Sequence, residues 1–236
     1  MNAVVVLTLL VTSILTTATA TANVYKCTPT EVNPPSDAFC TDPPVVPVDL
    51  PTYQGTWFLT FASDAALRFG GDACTTANYT LNARNQIDVL NCAARQPAQR
   101  PFCARAVAAQ RANTTASGKL QVSFPSAPRG LFNPARYSVA ALLGWPRFGY
   151  LAAAVYQCAA VPNAANQSGF FILSRTLRFR ALILYLLKLQ LACAGYDVNV
   201  HFVPNNHTNC TYFFDRSGFV QFGAAGPPMP PPPASM

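Results

Sequence analysis

The sequence predicts an all-β protein, an eight-stranded antiparallel up-and-down barrel flanked by one C-terminal α-helix. Two observations support this prediction. Eight short segments alternate apolar and polar residues with a period of two, and short turn-like breaks separate them. A closed barrel suits such a run of consecutive strands because it leaves no strand edge exposed.

The predicted strands follow one another through the middle of the chain. They cover residues 56–62, 75–81, 86–91, 103–109, 119–124, 137–143, 150–158 and 169–175. An apolar stretch at 179–193 predicts the helix, and Gly195 is a suitable residue to end it. This stretch is apolar around most of its circumference, so we expect it to pack on the outside of the barrel with some leucines exposed; membrane contact is the alternative. A last short strand is predicted at 197–203.

The first 22 residues predict a signal peptide. Residues 3–15 are apolar or small, and Ala-x-Ala cleavage sites begin at Ala18 and Ala20. We therefore expect a secreted, extracellular protein. Its expected parts are a signal peptide (1–22), a Pro-rich N-terminal arm (23–49), a barrel domain (50–222) and a Pro-rich disordered tail (223–236).

Cysteines and glycosylation sequons agree with export. All eight cysteines follow the predicted signal peptide, and an even number there indicates disulfides formed in an oxidising compartment. Five Asn-x-Ser/Thr sequons predict a glycoprotein. They lie at Asn78, Asn113, Asn166, Asn206 and Asn209.

The sequon at Asn78 also assigns strand faces, because a glycan can only project outward. Alternation then turns Ala77 and Tyr79 inward, and the same reasoning applies to the other strands. The resulting inward set, which we expect to contact a ligand, is apolar or aromatic. It consists of Leu59, Phe61, Ala77, Tyr79, Val122, Phe124, Tyr137 and Phe171.

The charged and catalytic residue types restrict the function. Sixteen lysines and arginines exceed nine acidic residues, but there is no dense basic run and no aromatic-basic RNA-binding motif, so we expect no nucleic acid partner. Glu31 is the only glutamate, His201 and His207 lie outside the predicted barrel strands, and no Gly-x-Ser-x-Gly motif occurs. The two histidines lack a suitably spaced third metal ligand. We therefore assign no catalytic residue, metal or cofactor.

Several segments, taken in order, resemble the lipocalin family, and within it the branch of apolipoprotein D and the bacterial lipocalins. They are VDLPTYQGTWF at 48–58, CTTANYTL at 74–81, IDVLN at 87–91, KLQVSF at 119–124, AAVYQC at 153–158 and FILSR at 171–175. The resemblance covers residues 40–212. It implies a cup open at one end, with Gly55, Trp57 and Arg175 at the closed end and the indole against the guanidinium. The sequence departs from the family at 142–150, where an acidic turn is usual and none is present.

The resemblance also bears on the disulfides. The expected pairs are Cys40–Cys158, Cys74–Cys210, Cys92–Cys103 and Cys27–Cys193. The resemblance implies the first two. The third pair flanks a predicted hairpin and forms if its Cα atoms lie within bonding range. The fourth is what then remains, with a free Cys27 or an intermolecular bridge as alternatives.

The function that the resemblance implies is binding and carriage of a small hydrophobic ligand, such as a fatty acid or other lipid, a sterol, a carotenoid or a tetrapyrrole. The inward set suits such a ligand, and Tyr79 and Tyr137 supply hydroxyls that would orient it. Two alternatives remain open. One is an enzyme of this fold that acts on a lipid or carotenoid, and the other is a protein that contacts a membrane or lipoprotein.

Overall fold

The eight predicted strands are all present, and they close into an antiparallel barrel. The computed structural model describes residues 43–67, 73–95, 100–112, 114–125, 134–158, 169–214 and 220–223. The elements, in chain order, are α1 (Leu50–Tyr53), β1 (Gly55–Ser63), α2 (Asp64–Leu67), β2 (Ala73–Leu81), β3 (Ile87–Arg95), β4 (Arg100–Gln110), β5 (Lys119–Ser123), β6 (Ala135–Trp145), β7 (Gly149–Cys158), β8 (Gly169–Ser174), α3 (Arg180–Cys193), β9 (Phe202–Pro204), β10 (Thr211–Phe214) and β11 (Val220–Gly223).

The barrel closes because β1 pairs with strands on both sides. Its first four residues, from Gly55 to Phe58, pair with β2, and from Phe58 onward it pairs with β8. The strands from β2 to β8 pair consecutively. The predicted eight-stranded up-and-down barrel is therefore confirmed. The connections after β1, β3, β5 and β7 leave the barrel at the end opposite the Gly55 end of β1.

A bulge in β1 changes the orientation of one predicted interior residue. The register against β8 shifts between Leu59 and Phe61, so Thr60 is an extra residue. Ala62 then takes the inward position, while Phe61 packs in the cluster beneath the helix. The prediction that Phe61 lines the interior is wrong because strict alternation does not allow for the added residue.

Two apolar clusters lie on opposite sides of the barrel wall. The inner core lies inside the barrel, and the outer core lies between the wall and α3. In the outer core Ile183, Leu187 and Leu191 are buried against small side chains of β6 and β7. The predicted packing of the helix on the outside of the barrel is confirmed. Among the described residues, no helix is long and apolar enough to cross a membrane.

The end of α3 follows the predicted pattern, but the strand after it is shorter. Gly195 has φ +79°, its N–H donates to Ala192 O, and the next N–H donates to Leu191 O, which is the Schellman arrangement. Residues 197–201 are not in a strand, so the prediction for them is wrong. Asp197 accepts a hydrogen bond from the N–H of Asn199, a local turn that replaces strand pairing.

Two predicted disulfides are confirmed. Cys74 is bonded to Cys210, and Cys92 is bonded to Cys103 with a Cα–Cα distance of 4.1 Å. Cys193 is also disulfide-bonded. The predicted pairs that involve Cys27 and Cys40 stay predictions, since those cysteines lie outside the described residues. The signal peptide, most of the Pro-rich arm, the tail beyond Gly223 and the sequons at Asn113 and Asn166 lie outside them as well.

The sequon at Asn78 is not accessible in the folded barrel. Asn78 does point away from the interior, as assumed, but it is only 7% exposed, which argues against a glycan there. The assignment of Ala77 and Tyr79 to the interior nevertheless holds. Asn206 and Asn209 are exposed, and glycosylation at these sequons stays a prediction.

Arg175, directly after β8, contacts the Trp57 ring and several backbone carbonyls at the closed end of the barrel. Its guanidinium carbon lies 3.7 Å from the centre of the Trp57 ring. Nη1 donates to Thr56 O at 2.7 Å, and Nη2 donates to Gln54 O at 2.6 Å and Tyr53 O at 3.1 Å. The indole Nε1 also donates to Tyr53 O, at 2.9 Å. Both signature side chains therefore hold the backbone that joins α1 to β1.

Gly55 is required at this end for two reasons. Its φ is +99°, a conformation that side chains with a Cβ rarely adopt. A Cβ atom there would also lie 3.1 Å from Nη1 of Arg175. The glycine thus allows the arginine to approach the backbone.

We predict that Arg175→Ala lowers the free energy of unfolding by about 2–4 kcal/mol, because backbone carbonyls lose a charged donor and the indole loses its stacking partner. Urea denaturation followed by tryptophan fluorescence measures this. Arg105→Ala is the matched control, since Arg105 is exposed on β4 and its loss should cost under about 0.5 kcal/mol. Equal destabilisation by the two variants would contradict the role of Arg175.

Candidate ligand-binding site

The inner core has small apolar walls. Seven of its nineteen buried members are alanine, and no member carries a charge. Alanine side chains are small, and an eight-stranded barrel is wide enough either to be filled by side chains or to hold one small ligand. Phe124, Tyr137 and Phe171 pack against the inner core and are partly exposed. These features suit the binding of an apolar molecule inside the barrel.

Seven of the eight predicted ligand-contacting residues belong to the inner core or pack against it. They are Leu59, Ala77, Tyr79, Val122, Phe124, Tyr137 and Phe171. Phe61 is the exception, for the reason given above. Contact of these residues with a ligand stays a prediction.

Three tyrosine hydroxyls meet in the interior and form what we call the tyrosine cluster (Tyr53, Tyr79 and Tyr137). The hydroxyl of Tyr137 lies 2.9 Å from that of Tyr53 and 3.1 Å from that of Tyr79. The rings of Tyr53 and Tyr79 stack with centroids 5.7 Å apart. The sequence predicts that Tyr79 and Tyr137 supply hydroxyls that orient a ligand. The structure brings these two hydroxyls together in the interior.

The tyrosine cluster is uncharged at neutral pH. Burial raises the pKa of Tyr79 to about 12. Burial also raises the pKa values of Tyr53 and Tyr137 well above the ordinary range. Each hydroxyl therefore keeps its proton and is able to donate it.

Asn91 adds a polar group to the same wall. It follows Ile87 and Val89 on β3, which both belong to the inner core, so alternation turns its side chain inward. Its Cα pairs with that of Ala77 across the β2–β3 ladder. The Oδ1 atom is buried and has no hydrogen-bond partner. Asn91 thus presents an unpaired acceptor on the inner side of the wall.

Tyr53 and Asn91 were not among the predicted site residues. Tyr53 lies in the four-residue α1, and only closure of the barrel brings its hydroxyl to Tyr137. No periodic signal in the sequence identifies such a residue. Asn91 was predictable from the sequence, because the spacing from Ile87 and Val89 places it on the inward face of β3.

The two histidines lie apart and have separate partners. His201 Nδ1 lies 3.1 Å from the exposed carboxylate of Asp64. His207 Nε2 donates to Leu59 O at 2.6 Å, and its Nδ1 contacts the hydroxyl of Tyr212. Burial lowers the pKa of His207, which favours its neutral form. Within the described ranges, no three His, Cys, Asp or Glu side chains are grouped as metal ligands.

Comparison with known proteins agrees with this geometry. The family model described as the lipocalin-like domain matches residues 48–204. A crystal structure of the major allergen Per a 4 from cockroaches is similar, with a TM-score of 0.50, 16% identity, and coverage of 70% of this chain and 92% of that one. Apocrustacyanin C1 is also similar, with a TM-score of 0.50, 12% identity, and coverage of 77% and 90%. At these identities the likeness concerns the fold. No curated protein sequence matches the chain.

We predict that stability falls as the pH rises from about 10 towards about 12. The unfolded chain releases tyrosine protons near pH 10, whereas folded Tyr79 keeps its proton until about pH 12, so alkaline conditions favour the unfolded state. Urea denaturation across this range should show a shallower loss for Tyr79→Phe than for the wild type. Tyr185→Phe, at an exposed position, is the control and should leave the slope unchanged. An unchanged slope in Tyr79→Phe would disprove the assignment.

Proposed function

Because the chain belongs to the lipocalin-like domain family, we propose that it binds and carries a small hydrophobic ligand inside the barrel. The observation that supports this most directly is the inner core, with its alanine-rich, uncharged walls. An apolar ligand gains roughly 25 cal/mol for each Å² that it buries against such walls. Fatty acids and other lipids, sterols, carotenoids and tetrapyrroles are the candidate classes, and Leu59, Val122, Phe124 and Phe171 are the proposed apolar contacts.

We propose binding and not catalysis as the activity. The inner core consists of apolar side chains and tyrosines. The groups that most often act as bases or nucleophiles in catalysis lie elsewhere in the described part of the chain: both histidines are outside the inner core, and the cysteines described there are in disulfides. An enzyme acting on a lipid or carotenoid is the alternative.

We also propose that the protein is secreted and belongs with apolipoprotein D and the bacterial lipocalins. The disulfides support secretion, since such bonds persist in oxidising compartments. The predicted signal peptide at 1–22 supports it as well. The placement among the branches rests on the ordered segments between residues 48 and 175.

Peripheral contact with an anionic lipid surface is a second candidate function, and one group of exposed side chains favours it. We call this group the closed-end patch. It consists of Phe148, Leu151, Phe179, Leu182 and Tyr185, which are 46–86% exposed. Phe179 has φ +56°, a strained conformation for an aromatic residue, and is 74% exposed. Large apolar side chains held in water in this way are typical of an interaction surface.

The charge around the closed-end patch suits anionic headgroups. Arg147 and Arg178 are exposed and precede Phe148 and Phe179 in the sequence. No acidic residue occurs between Asp88 and Asp197, a stretch that holds twelve of the sixteen basic residues. Each basic residue near an anionic membrane contributes about 1 kcal/mol, and neighbouring aromatic side chains insert at the headgroup level. We therefore propose an anionic phospholipid surface as the partner.

We predict that the wild type binds 1-aminoanthracene, a neutral apolar fluorophore, with saturable fluorescence enhancement. Ala106→Phe should weaken this binding at least about tenfold, or about 1.4 kcal/mol, because Ala106 is an inner-core residue and the larger ring occupies the ligand's space. Ala109→Phe is the matched control on the same strand, and by alternation it points outward. Absence of saturable binding by the wild type would overturn the proposed carrier function.

Vesicle flotation tests the second function. Vesicles of phosphatidylcholine with phosphatidylserine should bind the protein, and salt should reduce the binding. The double variant Phe148→Ser/Phe179→Asn should lose at least about tenfold in affinity, whereas Phe102→Ser, at an exposed phenylalanine of β4, should not. A chain lacking residues 223–236 should still bind. Unchanged flotation of the double variant, or binding that depends on the tail, would contradict docking through the closed-end patch.

A further inference from the structure

We infer that the tyrosine cluster and Asn91 form a polar subsite that selects an uncharged ligand with a hydroxyl or carbonyl group at its buried end. This inference rests on the proposed carrier function and narrows it from apolar molecules in general to neutral ones with a hydrogen-bonding head. The three tyrosine hydroxyls are the donor side of the subsite, and the Asn91 amide oxygen is the acceptor side.

The number of hydroxyl protons shows that the tyrosine cluster is able to donate one hydrogen bond to a ligand. Three neutral hydroxyls carry three protons, and the two contacts through Tyr137 use two of them. Among the described residues, no group accepts the third proton. A carbonyl or hydroxyl oxygen of a ligand is a suitable acceptor, and its arrival would complete the hydrogen bonding of a group that is otherwise buried without a full set of partners.

Asn91 stands close enough to act on the same ligand head. Tyr79 pairs with Val89 across the β2–β3 ladder, and Asn91 lies two residues further along β3. Diagonal neighbours of this kind have Cα atoms roughly 7–8 Å apart. Its Oδ1 accepts a hydrogen bond, so a ligand hydroxyl that accepts from a tyrosine and donates to Asn91 satisfies both groups. The absence of a partner for Oδ1 is independent of the tyrosine contacts.

The same geometry disfavours a carboxylate at this position. A carboxylate has about four lone-pair sites, whereas the tyrosine cluster has one proton to give and the Asn91 amide at most two, all from uncharged donors. No member of the inner core is charged. Arg175, the arginine at the closed end, directs both Nη atoms to backbone carbonyls. A buried anion would therefore lose its hydration, and the charge of Arg175, which acts on Tyr53 and Tyr79, is already hydrogen-bonded to backbone carbonyls.

A matched ligand series tests this. Dodecanol, 2-dodecanone, dodecane and dodecanoate compete with 1-aminoanthracene for the full-length protein at neutral pH. The alcohol and the ketone should displace the probe at concentrations at least about tenfold lower than the alkane and the carboxylate. Acidification below the carboxyl pKa should bring the fatty acid close to the alcohol, because the head is then neutral.

Variants separate the subsite from general apolar binding. Tyr137→Phe and Asn91→Ala should each remove most of the preference for the alcohol and keep the affinity for the alkane, whereas Asn199→Ala, at an exposed position, should change neither. Near-ultraviolet circular dichroism checks folding, and Asn91→Ala serves alone if Tyr137→Phe does not fold.

The outcomes distinguish this inference from the function on which it rests. Equal displacement by all four compounds, or preference for the carboxylate at neutral pH, would overturn the polar subsite and leave the carrier function standing. A preference that persists in both variants would also overturn it. Absence of any saturable probe binding would overturn both.

Discussion

The contact between Arg175 and the α1–β1 backbone is the constraint on which the rest of the structure depends. A barrel of this kind closes only if its first strand pairs with its last, and Arg175 follows the last strand and binds the carbonyls just before and within the first. One of these carbonyls belongs to Tyr53, which also accepts from Trp57. The hydroxyl of that same residue reaches Tyr137 in the interior. The contacts that close the barrel therefore also fix the position of the Tyr53 hydroxyl in the interior.

At the other end of β1, the segment from Phe202 to Cys210 holds the strand in place. β1 pairs with β2 only as far as Phe58, and β9 pairs with β1 from Phe61 to Ser63. Asn205 joins the two parts: its N–H donates to the O of the bulged Thr60, and its Oδ1 accepts from the N–H of Thr75. The Cys74–Cys210 disulfide holds the segment in place. The bulge that turns Phe61 outward thus also supplies the carbonyl that binds Asn205.

Much of the fold and part of the site followed from the sequence, because strand alternation and the Cys92–Cys103 hairpin are local patterns and the family resemblance implied the Trp57–Arg175 pair. The failures have tertiary causes. An inserted bulge residue leaves no trace in a period of two, so Phe61 was placed on the wrong face. The sequon at Asn78 is a three-residue motif, whereas its burial depends on the rest of the folded chain. Tyr53 reaches the interior only through closure of the barrel, and no spacing rule anticipates that.

Packing of α3 on the barrel does not explain why its exposed face carries large apolar side chains. One face of the helix, with Ile183, Leu187 and Leu191, is buried on the barrel wall. A polar opposite face would allow the same packing at no cost in the core, yet Leu182 is 56% exposed and Tyr185 60%. Phe179 adds a strained backbone to an exposed ring. The fold requires none of these features, and they are the observations that support the proposed contact of the closed-end patch with an anionic lipid surface.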